Sequence, residues 1–132
     1  GDFRKDFFID HVDTEYCMRL RDKGYRVLIS PKIGMTHPLG YYRVSKLHKW
    51  MRGSSMITNY PPLRHYYWTR NGVTLIKENF LRDMSWSLNQ AYYLFFRRII
   101  TVLLFEDQKI IKLGNIVLGV WHAILSRGGG KS

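Results

Sequence analysis

The sequence predicts a helix-rich α+β chain, with a few short strands near residues 25–60 and a helical C-terminal tail. Three observations point there: helical spacing of apolar residues near the start and over the last third, a β-rich run at Tyr25–Ser30 closed by Pro31, and a Pro61-Pro62 pair that opens a further helix. The 132 residues suit one compact unit, and a composition of 45% hydrophobic and 15% aromatic residues excludes general disorder.

Taken in order, Asp10 to Gly24 predicts a short helix. Asp10 is placed to cap it, Asp13 and Glu15 fall in the first turn where the helix dipole favours anions, and Gly24 is placed to end it. Val12, Tyr16 and Leu20 recur every four residues and would form its buried stripe. Tyr25–Ser30 reads as a strand and Ile33–His37 as a second extended piece ending at Pro38-Leu39-Gly40. Residues 41–60 are basic and aromatic without a clean period, which suits a hairpin or an irregular loop.

A helix is expected from Pro62 to about Glu78, with proline tolerated in the first turn and Asn71-Gly72 marking a kink or an end. Two more follow, about Ser85–Phe105 and Asp107–Leu125. The first is apolar nearly all round after Ala91 and should be covered; the second places Ile110, Leu113, Val117, Trp121 and Ile124 on one side.

The 21 basic and 10 acidic residues give a net charge of +11, unevenly spread. Residues 1–23 hold six of the acids, whereas residues 24–77 hold nine bases and no acid, a pattern suited to an anionic partner such as a diphosphate, a nucleic acid or an anionic membrane. The single cysteine, Cys17, excludes an intrachain disulfide framework and fits a reduced, cytoplasmic-side setting. The opening Gly-Asp-Phe-Arg-Lys-Asp lacks Met and any basic-then-apolar ramp, so a piece of a longer protein is expected. The apolar stretch Ala91–Phe105 is short and split by Arg97-Arg98, which argues against a bilayer span. The terminal Gly-Gly-Gly-Lys-Ser mimics the end of a phosphate-binding loop but lacks the earlier glycine, Leu125 standing there.

From residue chemistry alone, Asp10, Asp13 and Glu15 gather carboxylates at a helix start, followed at a distance by His37. Carboxylates act as general bases toward hydroxyl groups, and with histidine they hold divalent metals. The plain alternative is that the acids cap a helix and His37 is a loop or packing residue. His11, His48, His65 and His122 show no zincin-like spacing.

The motifs narrow this. The run Phe7-Phe8-Ile9-Asp10-His11-Val12-Asp13-Thr14-Glu15-Tyr16-Cys17-Met18-Arg19-Leu20-Arg21, then Gly24-Tyr25-Arg26-Val27, then Met35-Thr36-His37-Pro38-Leu39-Gly40, resembles the C-terminal part of bacterial family 2 glycosyltransferases, in particular their rhamnosyltransferase branch. Pro62-Leu63-Arg64-His65-Tyr66-Tyr67-Trp68-Thr69-Arg70-Asn71 is similar to a further segment of that branch.

The resemblance implies an α/β parent fold of the GT-A type. Residues 1–78 would be the acceptor-side, catalytic C-terminal portion, and residues 79–132 a helical extension that meets a membrane or a partner. It makes Asp13 the catalytic base of an inverting transfer, with Val12 standing where the wider family has Glu. His37 would join the shell of a divalent metal, Mg or Mn, and Asp10, Glu15, Arg64, Tyr67, Arg70 and Asn71 would contact substrate. The implied partners are a nucleotide sugar, with rhamnose on thymidine diphosphate the expected donor, and a glycan or polyprenyl-diphosphate-linked acceptor.

No Asp-x-Asp occurs in the chain, so this piece alone is expected to be inactive and to bind no metal. The basic tail suggests peripheral attachment to an anionic membrane on the inner face of the plasma membrane, and exposed apolar helix faces suggest a homo-oligomer. No nucleic-acid fold signature is visible, so nucleic acid is not an expected partner. A basic nucleic-acid-binding or membrane-surface module is the competing reading.

Overall fold

The structure, a computed structural model, describes residues 2–28, 34, 41–46, 49–50, 53 and 56–126. In chain order come α1 (Val12–Asp22), β1 (Tyr41–Val44), β2 (Met56–Asn59), α2 (Pro62–Asn79), α3 (Met84–Ala91), a π-helical segment (Tyr92–Arg97), α4 (Arg98–Phe105) and α5 (Lys109–Leu125). The chain is thus helix-rich, and its described strands form one antiparallel pair with Tyr41 opposite Asn59 and Val44 opposite Met56. The expected second extended piece, Ile33–His37, lies outside the described residues except for Gly34.

α1 ends as its sequence dictates. Gly24 takes the left-handed conformation (φ 82°), its N–H donates to Arg21 O (3.0 Å), and the Tyr25 N–H donates to Leu20 O (3.0 Å), the paired bonds of a Schellman stop. The buried positions of α1 are Glu15 and Met18, while Val12, Tyr16 and Leu20 of the expected stripe are half-buried. The strand expected from Tyr25 does not form over residues 25–28. Tyr25 is 63% and Leu28 79% exposed, and no described strand lies beside them to take their backbone hydrogen bonds.

α2 carries the fold. Pro62 sits in its first turn, where the missing N–H costs nothing. The helix runs through Asn71-Gly72 without a break, because both residues are buried in contacts rather than turned to solvent. A Cβ on Gly72 would lie 2.9 Å from Leu94 Cδ1 and 3.1 Å from His11 Nε2. The glycine therefore permits two neighbours to reach the helix.

The rod from Met84 to Phe105 starts on Asp83, whose carboxylate accepts from the Trp86 N–H (3.0 Å). Its π segment inserts wider turns beside the fully buried Leu94, which joins Val73 of α2 and Ala123 of α5 in the core, with Trp68, Ile76, Phe95 and Val120 packed around them.

α5 packs chiefly on α2, with Gly119 against the Tyr66–Arg70 backbone and Ala123 beside Val73 in the core, and it also buries Lys112 and Ile116. The expected apolar stripe is on its other side. Ile110, Val117, Trp121 and Ile124 are exposed and Leu113 is half-buried. The reason is close approach: a Cβ on Gly119 would lie 2.7 Å from the Tyr66 carbonyl and 3.1 Å from the Arg70 nitrogen, both backbone atoms of α2.

Gly119→Ala must therefore push two helices apart, and the expected cost is about 1–3 kcal/mol by overpacking. Gly114→Ala, which meets nothing within 4 Å, should instead raise stability by about 0.5–1 kcal/mol through reduced backbone freedom. Urea midpoints of the two variants move in opposite directions if the helices are this close. No helix among the described residues is long and apolar enough to cross a membrane.

Candidate functional site

The two sequence segments that carry the resemblance meet in space. Immediately before α1, Asp10 (φ 60°) and His11 (φ 61°) are consecutive left-handed residues, a conformation that non-glycine side chains resist at roughly 1–2 kcal/mol each. His11 starts the helix by accepting the Glu15 N–H on its carbonyl (2.9 Å), and its side chain makes no cap; nor does Asp10, whose carboxylate is turned away.

α2 holds this strained turn from three sides. Arg64 donates from Nε to Asp10 Oδ2 (2.9 Å) and from Nη2 to Asp10 Oδ1 (2.7 Å), a bidentate fork. One turn or two further along, the buried amide of Asn71 donates to the carbonyls of Ile9 (2.8 Å) and Asp10 (3.1 Å). Arg70 donates to the Asp6 carbonyl and to Asn71 Oδ1, which fixes the Asn71 amide so that its NH₂ faces the turn. The His11 ring stacks on Trp68 at 5.9 Å.

The residues proposed from sequence thus divide. Asp10, Arg64, Arg70 and Asn71 are brought together, with their polar groups engaged by one another and by the turn. Tyr67 packs on Phe8 (5.3 Å) beneath the Arg70 guanidinium. Glu15 is buried and paired with Arg19, from Nε to Oε1 at 3.1 Å. Asp13, in the first turn of α1, is exposed and makes no hydrogen bond or ion pair with any described residue. Of this group it alone holds out a carboxylate able to accept a proton from an incoming molecule. His37 lies outside the described residues.

Arg64 also joins a cluster that sequence reasoning missed. The guanidiniums of Arg64 and Arg98 both lie over the Tyr60 ring (4.5 and 4.8 Å), and Arg98 also lies over Trp68 (5.1 Å). Arg98 reaches Glu106 (3.4 Å), which is fully buried between α4 and α5 and accepts from Lys112 Nζ (2.7 Å). Lys112 also donates to Asn59 Oδ1 of β2 (2.5 Å). The signal available in the sequence was Glu106 itself, a carboxylate closing an apolar run of which the helix must bury one side.

Burial alone would raise the Glu106 pKa, but hydrogen bonds from His65 and Lys112 and the Arg98 charge outweigh it and hold the value at about 2. The His65 Nε2 lies 3.2 Å from Glu106 Oε2. Burial pushes the His65 pKa below its ordinary value, and Arg98 and Lys112 push the same way against Glu106. His11 is lowered by burial as well, with Asp10 opposing. Both rings are therefore neutral in the folded chain.

The unfolded chain takes up these protons first, so the histidine contribution to stability is complete above pH 6.5 and is lost as pH falls below it. The Glu106 contribution has the depressed-carboxylate sign: present above 4.5 and lost as pH falls toward about 2. Melting temperatures should fall in two stages on acidification. Replacing His65 by Gln should reduce the first stage, and an unchanged first stage would show that His65 is not held neutral.

Among the described residues, no group of three His, Cys, Asp or Glu side chains is arranged to hold a metal ion.

The fold, with its acidic turn clasped by a basic, aromatic helix, is accompanied by a glycosyltransferase likeness in sequence. The chain is 37% identical over 79 residues, 60% of its length, to the dTDP-rhamnosyl transferase RfbF of Shigella flexneri, a rhamnosyltransferase-like relationship. The match covers 25% of that relative, so the chain spans about a quarter of its length. No family model matches the chain, and no solved structure matches it.

Proposed function

We propose that this chain is the acceptor-side, C-terminal part of an inverting family 2 glycosyltransferase with a GT-A parent fold, which moves rhamnose from a thymidine diphosphate sugar to a cell-envelope glycan or polyprenyl-linked acceptor. The observation that carries the reading is the likeness to a dTDP-rhamnosyl transferase, together with the meeting of the two motif segments at the Ile9–Asp10 turn, just ahead of Asp13.

In this reading Asp13 accepts the proton of an acceptor hydroxyl while that oxygen forms a bond to the anomeric carbon. The bond from that carbon to the diphosphate oxygen breaks on the opposite face, so the centre inverts and the nucleoside diphosphate leaves with the electron pair. Asp10, Arg64, Arg70 and Asn71 fix the turn from which α1 begins, and so fix where Asp13 stands. The donor pocket and the carboxylates of a metal site belong, in this reading, to the portion of the protein upstream of the chain, and the isolated chain is inactive.

The test is direct. The protein that carries this chain, given dTDP-rhamnose and a glycan acceptor, should release the nucleoside diphosphate and form a rhamnoside of inverted anomeric configuration, read by proton NMR. Retention of configuration, or failure to use any nucleotide sugar, overturns the reading.

A further inference from the structure

Glycine is the poorest helix former after proline, so Gly72 in the middle of the unbroken α2 asks for a reason. The reason is what stands over it. His11 Nε2 is buried without a hydrogen-bond partner among the described residues and lies against the bare backbone of Gly72, where a Cβ would come within 3.1 Å of it. The same ring stacks on Trp68 with 15° between the planes. The imidazole is thus confined between a side chain and the backbone of one helix.

The place of this ring in the chain gives the contact its weight. The bonds from Arg64, Arg70 and Asn71 grip Asp6, Ile9 and Asp10, all of them before His11. The far end of α1 is tied through Arg21 to Asp83 (3.1 Å) and through Asp22 to Arg82. Between these holds His11 is left-handed (φ 61°), so a small rotation about its backbone swings the start of α1. Asp13, two residues on, is exposed and bonded to no described residue, and its side chain has nothing of its own to resist the swing.

We propose that Gly72 and His11 form a positioning pair for Asp13: the missing side chain at position 72 seats the His11 ring, and the seated ring fixes the direction in which α1 leaves the turn. The inference rests on the sugar-transfer reading, in which Asp13 takes the acceptor proton. A displaced base costs turnover steeply, since a misplacement of about 1 Å can cost roughly 10²-fold. Binding of the nucleotide sugar is left alone, because in the same reading that pocket lies upstream of the chain.

Steady-state kinetics of the intact protein test the pair. An alanine at position 72 would also press on Leu94 Cδ1 (2.9 Å), a fully buried core side chain, and could unfold the protein for a reason unrelated to His11. Gly72→Ala is therefore made on a Leu94→Val background, where the shorter side chain gives way. Turnover should fall about tenfold or more, with KM for the nucleotide sugar unchanged. With His11→Asn also present, the same substitution should cost less than about threefold, because the ring it strikes is gone and asparagine accepts a left-handed backbone. His11→Asn alone, which leaves the core intact, should lower turnover at unchanged KM as well. An equal cost of Gly72→Ala with and without the His11 ring, the mark of a purely structural role, overturns the pair, and so does full turnover of His11→Asn. A wild-type protein that transfers no sugar overturns the sugar-transfer reading itself, and this inference with it.

Discussion

On the proposed sugar-transfer reading, Asp13→Asn in the intact protein is expected to lower turnover by roughly 10²–10⁴-fold, the usual contribution of a general base, with little change in KM for the nucleotide sugar. The amide keeps the size and polarity of the side chain but cannot accept the hydroxyl proton at neutral pH. The fold should not notice the change, because Asp13 is exposed and bonded to no described residue. Only a small helix-dipole contribution, about 0.3–1 kcal/mol, is lost with the charge.

Asp10→Asn behaves differently under the same assay. Its carboxylate answers the Arg64 fork, so the substitution loosens the turn and lowers thermal stability as well as turnover. Steady-state kinetics and melting curves on the two variants separate a proton acceptor from a positioning residue. Turnover within about threefold of wild type for Asp13→Asn would remove the base from the mechanism.

Lys112→Met is expected to cost about 3–5 kcal/mol, the penalty for breaking a buried ion pair by deleting one partner. The lysine is 1% exposed, and its ammonium holds both Glu106 and Asn59, so the variant leaves a buried carboxylate short of a partner and detaches β2 from α5. Since a domain of this size has about 5–15 kcal/mol in total, the variant should be partly unfolded at moderate temperature. Adding Glu106→Gln on the same background should recover part of the loss, because the uncompensated charge goes with it. Urea denaturation of the single and double variants measures both steps. A cost below about 1 kcal/mol for Lys112→Met would mean that water reaches the cluster.

Much of the helical framework was legible from the residues. The proline pair set the start of α2, the hydrophobic run fixed the rod from Met84 to Phe105, and Gly24 stopped α1 close to its expected end. What escaped shares one cause: each feature is decided by a partner distant in sequence. Asn71-Gly72 looks like a helix breaker because local propensity says so, yet the position is shaped by Leu94 and the 9–11 turn. Periodicity found the two sides of α5 but not which one faces α2, since the close approach at Gly119 belongs to the pair of helices. The π segment has no marker in composition. The left-handed pair Asp10-His11 carries no glycine to announce it, so the strained turn was invisible until α2 was seen to hold it.

The candidate site was half visible. Asp13 stands exposed at the start of α1, where its sequence position placed it, but the arginines and asparagine read as substrate contacts turn out to be engaged within the chain. The excess of acids before residue 24 and of bases after it, which suggested an external anion, is partly answered internally: Asp10 meets Arg64, and Asp22 meets Arg82. Charge segregation along a chain records neighbours in the fold as readily as it records ligands.

α2 is engaged along most of its length, Leu63 near its start being the large apolar residue left exposed. Toward α1 it offers Arg64, Asn71 and Gly72, and toward α5 it offers the backbone of Tyr66 and Arg70 together with Val73 and Lys77. Genetic drift should therefore pass this helix by, with tolerated replacements collecting instead at the exposed positions of the rod, such as Leu88, Phe96 and Leu103. Any tag, label or fusion intended to leave the chain undisturbed belongs there, never within Pro62–Asn79.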